Sequence, residues 1–211
     1  MPSPGSSDSH YFDAAPATSS SPRTIELVLP DVFLELSTDS GVFSAQQVDG
    51  GTRILLKDHP PLVSLPTAPA HILDLGCGYG PIALSAAKRA PDAHVWGVDV
   101  NERALELAQG NAASNGIENV TFGRADQIPA EQHFDLILSN PPIRVGKQVL
   151  RDLLATWLDR LTPQGRAWMV VQKHLGSDSL AAWLTEQGWE TARLSSKAAY
   201  RILETLPRST Q

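Results

Sequence analysis

With 211 residues, 42% of them hydrophobic and 19% charged, the chain can bury the core of one domain plus accessory segments. No apolar run approaches the roughly 18 residues that span a bilayer as a helix, and the N-terminus lacks a signal-peptide pattern, so a cytoplasmic location is expected. A net charge of −6 and an acidic pI of 5.4 leave any nucleic-acid partner to a local basic patch, and the single cysteine, Cys77, excludes an internal disulfide and disfavours a zinc cluster.

Residues 1–22 hold seven serines and four prolines, too little apolar surface to offset ordering, and are expected to form a flexible tail interrupted by His10-Tyr11-Phe12. Residues 23–60 form an N-terminal extension. Strands over 24–29 and 32–36 join at Pro30-Asp31, and a Gly-, Ser- and Asp-rich loop at 39–44 leads to a helix-like segment over 49–57. That loop either folds over a ligand or merely connects. Pro60, Pro61, Pro66 and Pro69 mark the linker into residues 61–211, the main domain.

Residues 72–75 predict a buried strand, and Pro81 opens a helix where its missing N–H costs nothing. Between them Gly76, Gly78 and Gly80 can take positive φ and offer bare backbone to a ligand. The spacing is not the G-x-G-x-x-G of dinucleotide folds, which disfavours a nicotinamide dehydrogenase. Residues 94–99 form the next strand. Its last residue, Asp99, lies 19 positions after Gly80, where a βαβ unit places an acid on a ribose diol; otherwise it caps the helix opening at Glu102. Asn101 caps that helix, which stops at Asn115-Gly116. A third strand over 120–125 is closed by Asp126, which either accepts from the exocyclic amine of an adenine or caps a turn.

A fourth strand, 134–138, runs into Ser139-Asn140-Pro141-Pro142-Ile143. Val149, Leu150, Leu153, Leu154, Trp157, Leu158 and Leu161 follow at helical spacing, predicting a helix with these as its core face and an end at Pro163-Gln164-Gly165. Residues 168–171 are a fifth strand, Asp178 opens a helix ending at Gly188, and 189–194 with 200–206 make an antiparallel hairpin. This order predicts an α/β protein with a doubly wound, mostly parallel seven-stranded sheet, an antiparallel C-terminal edge strand and an N-terminal β-hairpin.

Parallel topology brings Asn140-Pro141-Pro142-Ile143 to the same carboxyl edge as Gly76, Gly78 and Asp99. The two prolines remove two N–H donors and restrict the backbone, leaving rigid acceptors. The Asn140 amide oxygen and the Pro141 carbonyl could each take a hydrogen from an amine, localising its lone pair for attack. The reading requires Asn140 to face the cleft beside Gly78.

Together, Asp74-Leu75-Gly76-Cys77-Gly78-Tyr79-Gly80, Asp99, Asp126 and Asn140-Pro141-Pro142-Ile143 resemble class I S-adenosylmethionine-dependent methyltransferases. His10-Tyr11-Phe12, Gly41-Val42-Phe43-Ser44, Gly51-Thr52-Arg53, Asn101-Glu102-Arg103-Ala104 and Pro142-Ile143-Arg144-Val145-Gly146-Lys147 are similar to the small methyltransferase family of RsmC type. The resemblance implies a Rossmann-like fold and methylation of guanine N2 in 16S ribosomal RNA. Its partner would be that RNA or the small ribosomal subunit, with no metal and no obligate protein partner. It implies cofactor contacts from Asp74, Gly76, Cys77, Gly78, Asp99, Val100, Ala125 and Asp126, and places Asn140 and Pro141 at the target amine with Pro142 and Ile143 beside the substrate. Longer family members hold a degenerate second copy of the domain; this sequence holds one. Relatives acting on planar amines often carry an aromatic residue where Ile143 stands, so base holding is assigned to Phe43. Arg144 and Lys147 are candidates for RNA phosphates, with Arg151 one helical turn further on. The rival readings are another planar amine, adenine N6 or protein glutamine, and a non-catalytic RNA-binding or assembly protein.

Overall fold

The computed structural model describes residues 19–59, 62 and 68–208; His10-Tyr11-Phe12 and the linker residues Pro60, Pro61 and Pro66 lie outside them. Strands β1 (Arg23–Val28) and β2 (Phe33–Thr38) form the expected hairpin and lead to helix α1 (Gly50–Asp58). The main sheet comprises β3 (His71–Leu75), β4 (His94–Val98), β5 (Val120–Gly123), β6 (Phe134–Ser139), β7 (Leu161–Gln172), β8 (Thr191–Lys197) and β9 (Tyr200–Thr205), in the order β5-β4-β3-β6-β7-β9-β8. Helices α2 (Pro81–Arg89), α3 (Glu102–Ser114), α4 (Lys147–Leu158) and α5 (Ser177–Glu186) complete it.

Strands β3 to β7 are parallel, and β9 runs against both β7 and β8. The reversed strand lies one place in from the edge. Burial decides this: β9 has Ile202 and Leu203 covered on opposite faces, whereas β8 is mostly exposed and suits the rim. Alternate residues of the central strands serve the two faces. Ile72, Leu136, Leu138, Trp168 and Val170 pack with α1, α2, α3 and the hairpin, while Leu73, Leu75, Ile137, Met169 and Val171 pack with α4 and α5.

Two expectations need correction after β6. Helix α4 ends at Leu158, and Leu161 opens β7 instead of closing the helix. Phe134 pairs with Leu161 but Leu136 with Arg166, so Pro163-Gln164-Gly165 bulges out within β7. Val149 is exposed (58%), while its neighbour Leu150 joins the core with Leu154, Trp157 and Leu158. At the N-terminus, the last residues of the expected tail are tied down. The Asp39 carboxylate accepts from Ser20 Oγ (2.7 Å) and from the Ser21 N–H.

Lys88 and Arg89 of α2 hold Phe33 C=O and Asp31 of the hairpin, and Asn111 of α3 with its C-cap Asn115 holds the free edge of β2. Asn111 Oδ1 accepts from Ser37 N–H (2.7 Å) and its Nδ2 donates to Ser37 C=O (2.9 Å); Asn115 treats Glu35 the same way (3.2 and 2.8 Å). Four residues of helix rise about 6 Å and two of a strand about 6.6 Å, so two carboxamides one turn apart match the free edge of β2 as another strand would. Asn101 Nδ2 and Arg103 Nη1 then donate to the carbonyls of Gly41 and Ser40 (2.9 Å each), drawing the 39–44 loop over the start of α3.

Candidate active site

Leu75 pairs with Val98 on one side and Ser139 on the other. The next residues, Gly76, Asp99 and Asn140, therefore leave the sheet side by side at its carboxyl edge, where α/β sheets bind ligands. They line one cleft of about 470 Å³, together with Phe43, Cys77, Gly78, Val100, Ala125, Pro141, Pro142, Ile143 and Arg144.

The glycine turn is held by its neighbour strand. Gly76 and Cys77 donate to Val98 C=O (2.8 and 3.0 Å), and Gly78 donates to Asp99 Oδ2 (2.8 Å). Gly76, Gly78 and Gly80 have φ of 78°, 55° and 95°. A Cβ at Gly80 would press on Phe122 at 3.2 Å, whereas one at Gly78 would meet only open space. Gly78 therefore leaves room in the cleft for a ligand, and Gly80 makes room for packing.

Asp99 accepts from Gly78 with one oxygen and from Asn101 N–H with the other (2.9 Å); the helix cap is Asn101, whose side chain accepts from Ala104. Asp99 lines the cleft, and its two oxygens have more acceptor capacity than these bonds use. Burial pushes the Asp99 carboxyl up, against the opposing bonds from Asn101, Gly78 and Val100. Cys77 is buried and its thiol is pushed up by burial and by the Asp99 and Asp74 carboxylates, the opposite of an activated nucleophile.

Asp74 is off the cleft wall. It is fully buried under the turn, with Oδ2 accepting from Ala83 N–H (2.9 Å) in the first turn of α2 and Oδ1 without a partner in the protein. Burial pushes its carboxyl up to about 8, against the Ala83 bond and with the Asp99 charge adding. An unfolded aspartate loses its proton near pH 4, so between about 4 and 8 the folded chain holds the extra proton and stability falls as pH rises. Asp74→Asn stays neutral and can still accept from Ala83. In urea unfolding at about pH 5 and about pH 8, the variant is expected to gain on the parent as pH rises.

Asn140 is half-buried with its amide in the cleft. Its Nδ2 donates to Asp49 Oδ2 (2.8 Å) and Thr52 Oγ1 (3.1 Å). A carboxylate only accepts, so the NH2 group must face Asp49 and the amide oxygen must face the other way. The Pro141 carbonyl is already engaged: it accepts from Ile143 N–H (2.8 Å) across an inverse γ-turn centred on Pro142 (φ −75°, ψ 77°), leaving one lone pair.

The remaining candidates divide. Phe43, 55% exposed, stands at the cleft mouth, and Val100 presents an apolar side chain there. Ala125 lines the cleft but Asp126 does not: its exposed carboxylate lies 3.7 Å from Arg124. Lys147 lies outside the lining, in the first turn of α4, and Arg151 stacks over Trp183 (5.1 Å). Asp49, Thr52, Gln172 and Tyr200 also line the cleft; of these only Thr52 falls in a segment that carried the resemblance, and it was given no role there. The available signal was Asp49 before Gly50-Gly51-Thr52, a helix N-cap, where it accepts from Gly51 and Thr52 N–H (2.7 and 3.1 Å).

A seven-stranded sheet of this order, with one reversed strand and a glycine turn after β3, defines a Rossmann-like methyltransferase fold. The chain matches the methyltransferase small domain model over residues 34–204 and belongs to that family. It is 37% identical over 198 residues to the uncharacterized protein YbxB of Bacillus subtilis, covering 92% of this chain and 96% of that one. It is 32% identical over 161 residues to ribosomal RNA large subunit methyltransferase G of Shewanella amazonensis, covering 70% and 40%. Among solved structures, the T. thermophilus 16S rRNA N2 G1207 methyltransferase (RsmC), in complex with AdoMet and guanosine, superposes with a TM-score of 0.76 at 25% identity, covering 92% and 52%. The chain thus spans about half the length of these rRNA methyltransferases and nearly all of YbxB. Among the described residues no helix is long and apolar enough to cross a membrane, and no three His, Cys, Asp or Glu side chains gather into a metal-ligand cluster.

Proposed function

We propose that this protein is a cytoplasmic S-adenosylmethionine-dependent methyltransferase acting on guanine N2 in small-subunit ribosomal RNA. The observation that carries this reading is the single cleft shared by the glycine turn and Asn140. Its size lies within the usual range of small-molecule sites, about 300–1,000 Å³. The bare backbone at Gly78, the Asp99 carboxylate and the apolar Val100 suit a ligand with a diol and an apolar ring.

When bound, S-adenosylmethionine supplies a methyl group on a sulfonium. The protein's part is to present the amine. Asn140 Oδ1 takes one N–H of the exocyclic amine, and the remaining lone pair of Pro141 C=O can take the other. Both acceptors favour a tetrahedral nitrogen, and so the attacking state over the planar ground state. As the N–C bond forms, the S–C pair returns to sulfur, and the nitrogen then releases a proton to water, so no strong base is needed. Ile143 and Pro142 give the base apolar contact, and Phe43 offers a ring at the mouth. Phe43→Ala is expected to raise KM for RNA about 5- to 100-fold, the worth of one stacked base, with kcat for bound substrate much less affected. Steady-state kinetics at fixed salt would check it. Arg144 at the rim and Lys147 beyond it suit RNA phosphates on an otherwise acidic protein.

Transfer of labelled methyl to deproteinised rRNA, to each assembled ribosomal subunit and to protein tests the reading, followed by nucleoside mass spectrometry. Label in N2-methylguanosine of small-subunit RNA is expected. Label confined to N6-methyladenosine, large-subunit RNA or protein glutamine, or no transfer at all, overturns it.

A further inference from the structure

We infer that Asp49 and Thr52 are positioning residues for methyl transfer, acting through Asn140 by locking its carboxamide with the oxygen toward the cleft. The inference rests on the proposed role of Asn140 as acceptor for the amine. A carboxamide has two nearly isosteric orientations, and only one presents an acceptor. Asp49 Oδ2 and Thr52 Oγ1 both receive Asn140 Nδ2, at 2.8 and 3.1 Å. Turning the amide over would set its oxygen against a carboxylate oxygen, which repels it, so the reversed state is disfavoured by charge as well as by lost bonds.

The lock is itself anchored. Asp49 Oδ2 also accepts from Gly51 and Thr52 N–H in the first turn of α1, fixing the carboxylate relative to that helix. The helix start is in turn seated against β9. Gly51 has no side chain, and a Cβ there would lie 2.8 Å from Tyr200 Cε1 and 2.9 Å from Asp49 Oδ2. Tyr200 is held by Gln172, whose Nε2 donates to its hydroxyl (3.0 Å). The N-terminal extension thereby contributes a working part to the cleft: α1 sets the orientation of a side chain on the β6 loop, 91 residues further along the chain.

Asp49→Asn keeps a competent N-cap but can offer its own NH2 group to a reversed Asn140. Thr52→Val removes the second acceptor, and Thr52→Ser keeps it. Measured on the full chain with rRNA substrate, Asp49→Asn and Thr52→Val are expected to lower kcat about 10- to 100-fold. S-adenosylmethionine Kd and the melting temperature should be unchanged, and Thr52→Ser should recover most of the loss. Adding Asp49→Asn to Asn140→Ala should cost nothing more, because the pair acts as a unit. Parent kcat in both Asp49→Asn and Thr52→Val, alongside an inactive Asn140→Ala, overturns the inference and leaves the amine-holding role standing. An equal loss from Asp49→Asn with or without Asn140 overturns it too. Asn140→Ala at the parent rate is the separate result that removes the amine-holding role, and this inference with it.

Discussion

Asn140→Ala is expected to lower kcat for methyl transfer by about 10²- to 10³-fold, the usual cost of removing one hydrogen-bonding group that acts on the transition state. Alanine leaves the amine without its carboxamide acceptor, and the Pro141 carbonyl, half engaged by Ile143, is a poor substitute. The glycine turn and Asp99 are untouched, because their bonds run to Val98, Gly78 and Asn101 and not to Asn140. Cofactor affinity by titration calorimetry should therefore match the parent while single-turnover rates collapse. A variant that methylates normally would remove the chemical role of the β6 loop.

Asn111→Leu is expected to destabilise the fold by about 3–6 kcal/mol, a large part of the stability of a domain this size. Leucine is close in volume but strands three backbone groups: the Ser37 N–H, the Ser37 C=O and the Tyr79 C=O, which Asn111 bonds at 2.7, 2.9 and 2.9 Å. Each costs about 1–3 kcal/mol when left unmade in a buried place, and Asn111 is only 1% exposed. One side chain thus ties the hairpin edge to the glycine turn, so loss of cofactor affinity should accompany loss of stability. Asn115→Leu, at a more exposed site, should cost less. Equilibrium urea unfolding of the three proteins checks the ranking.

Most elements were legible locally. Proline at the start of α2, Asn101 before α3, Gly116 after it and the apolar runs of β3, β4 and β6 express preferences that act within a few residues. The cleft was legible at the level of topology, because parallel strands put Gly76, Asp99 and Asn140 at one edge. Errors arose where a neighbour in space outweighed the local pattern. Leu161 continued the helical spacing but pairs with Phe134, and the spacing of Leu161 to Gly165 gave no sign of the bulge within β7. The inverse γ-turn that engages Pro141 depends on a torsion of Pro142 that the prolines restrict without setting.

The sequence by itself determined the alternation of strand and helix, the bare backbone of the glycine turn and the presence of a rigid Asn-Pro-Pro-Ile segment after the fourth strand. These follow from steric limits and hydrogen-bonding capacity within each short segment. Only the tertiary structure decided which way the Asn140 amide faces and what holds the hairpin in place. Asn140 meets Asp49 across 91 positions and Asn111 meets Ser37 across 74, and contacts between segments so far apart leave no periodicity to read.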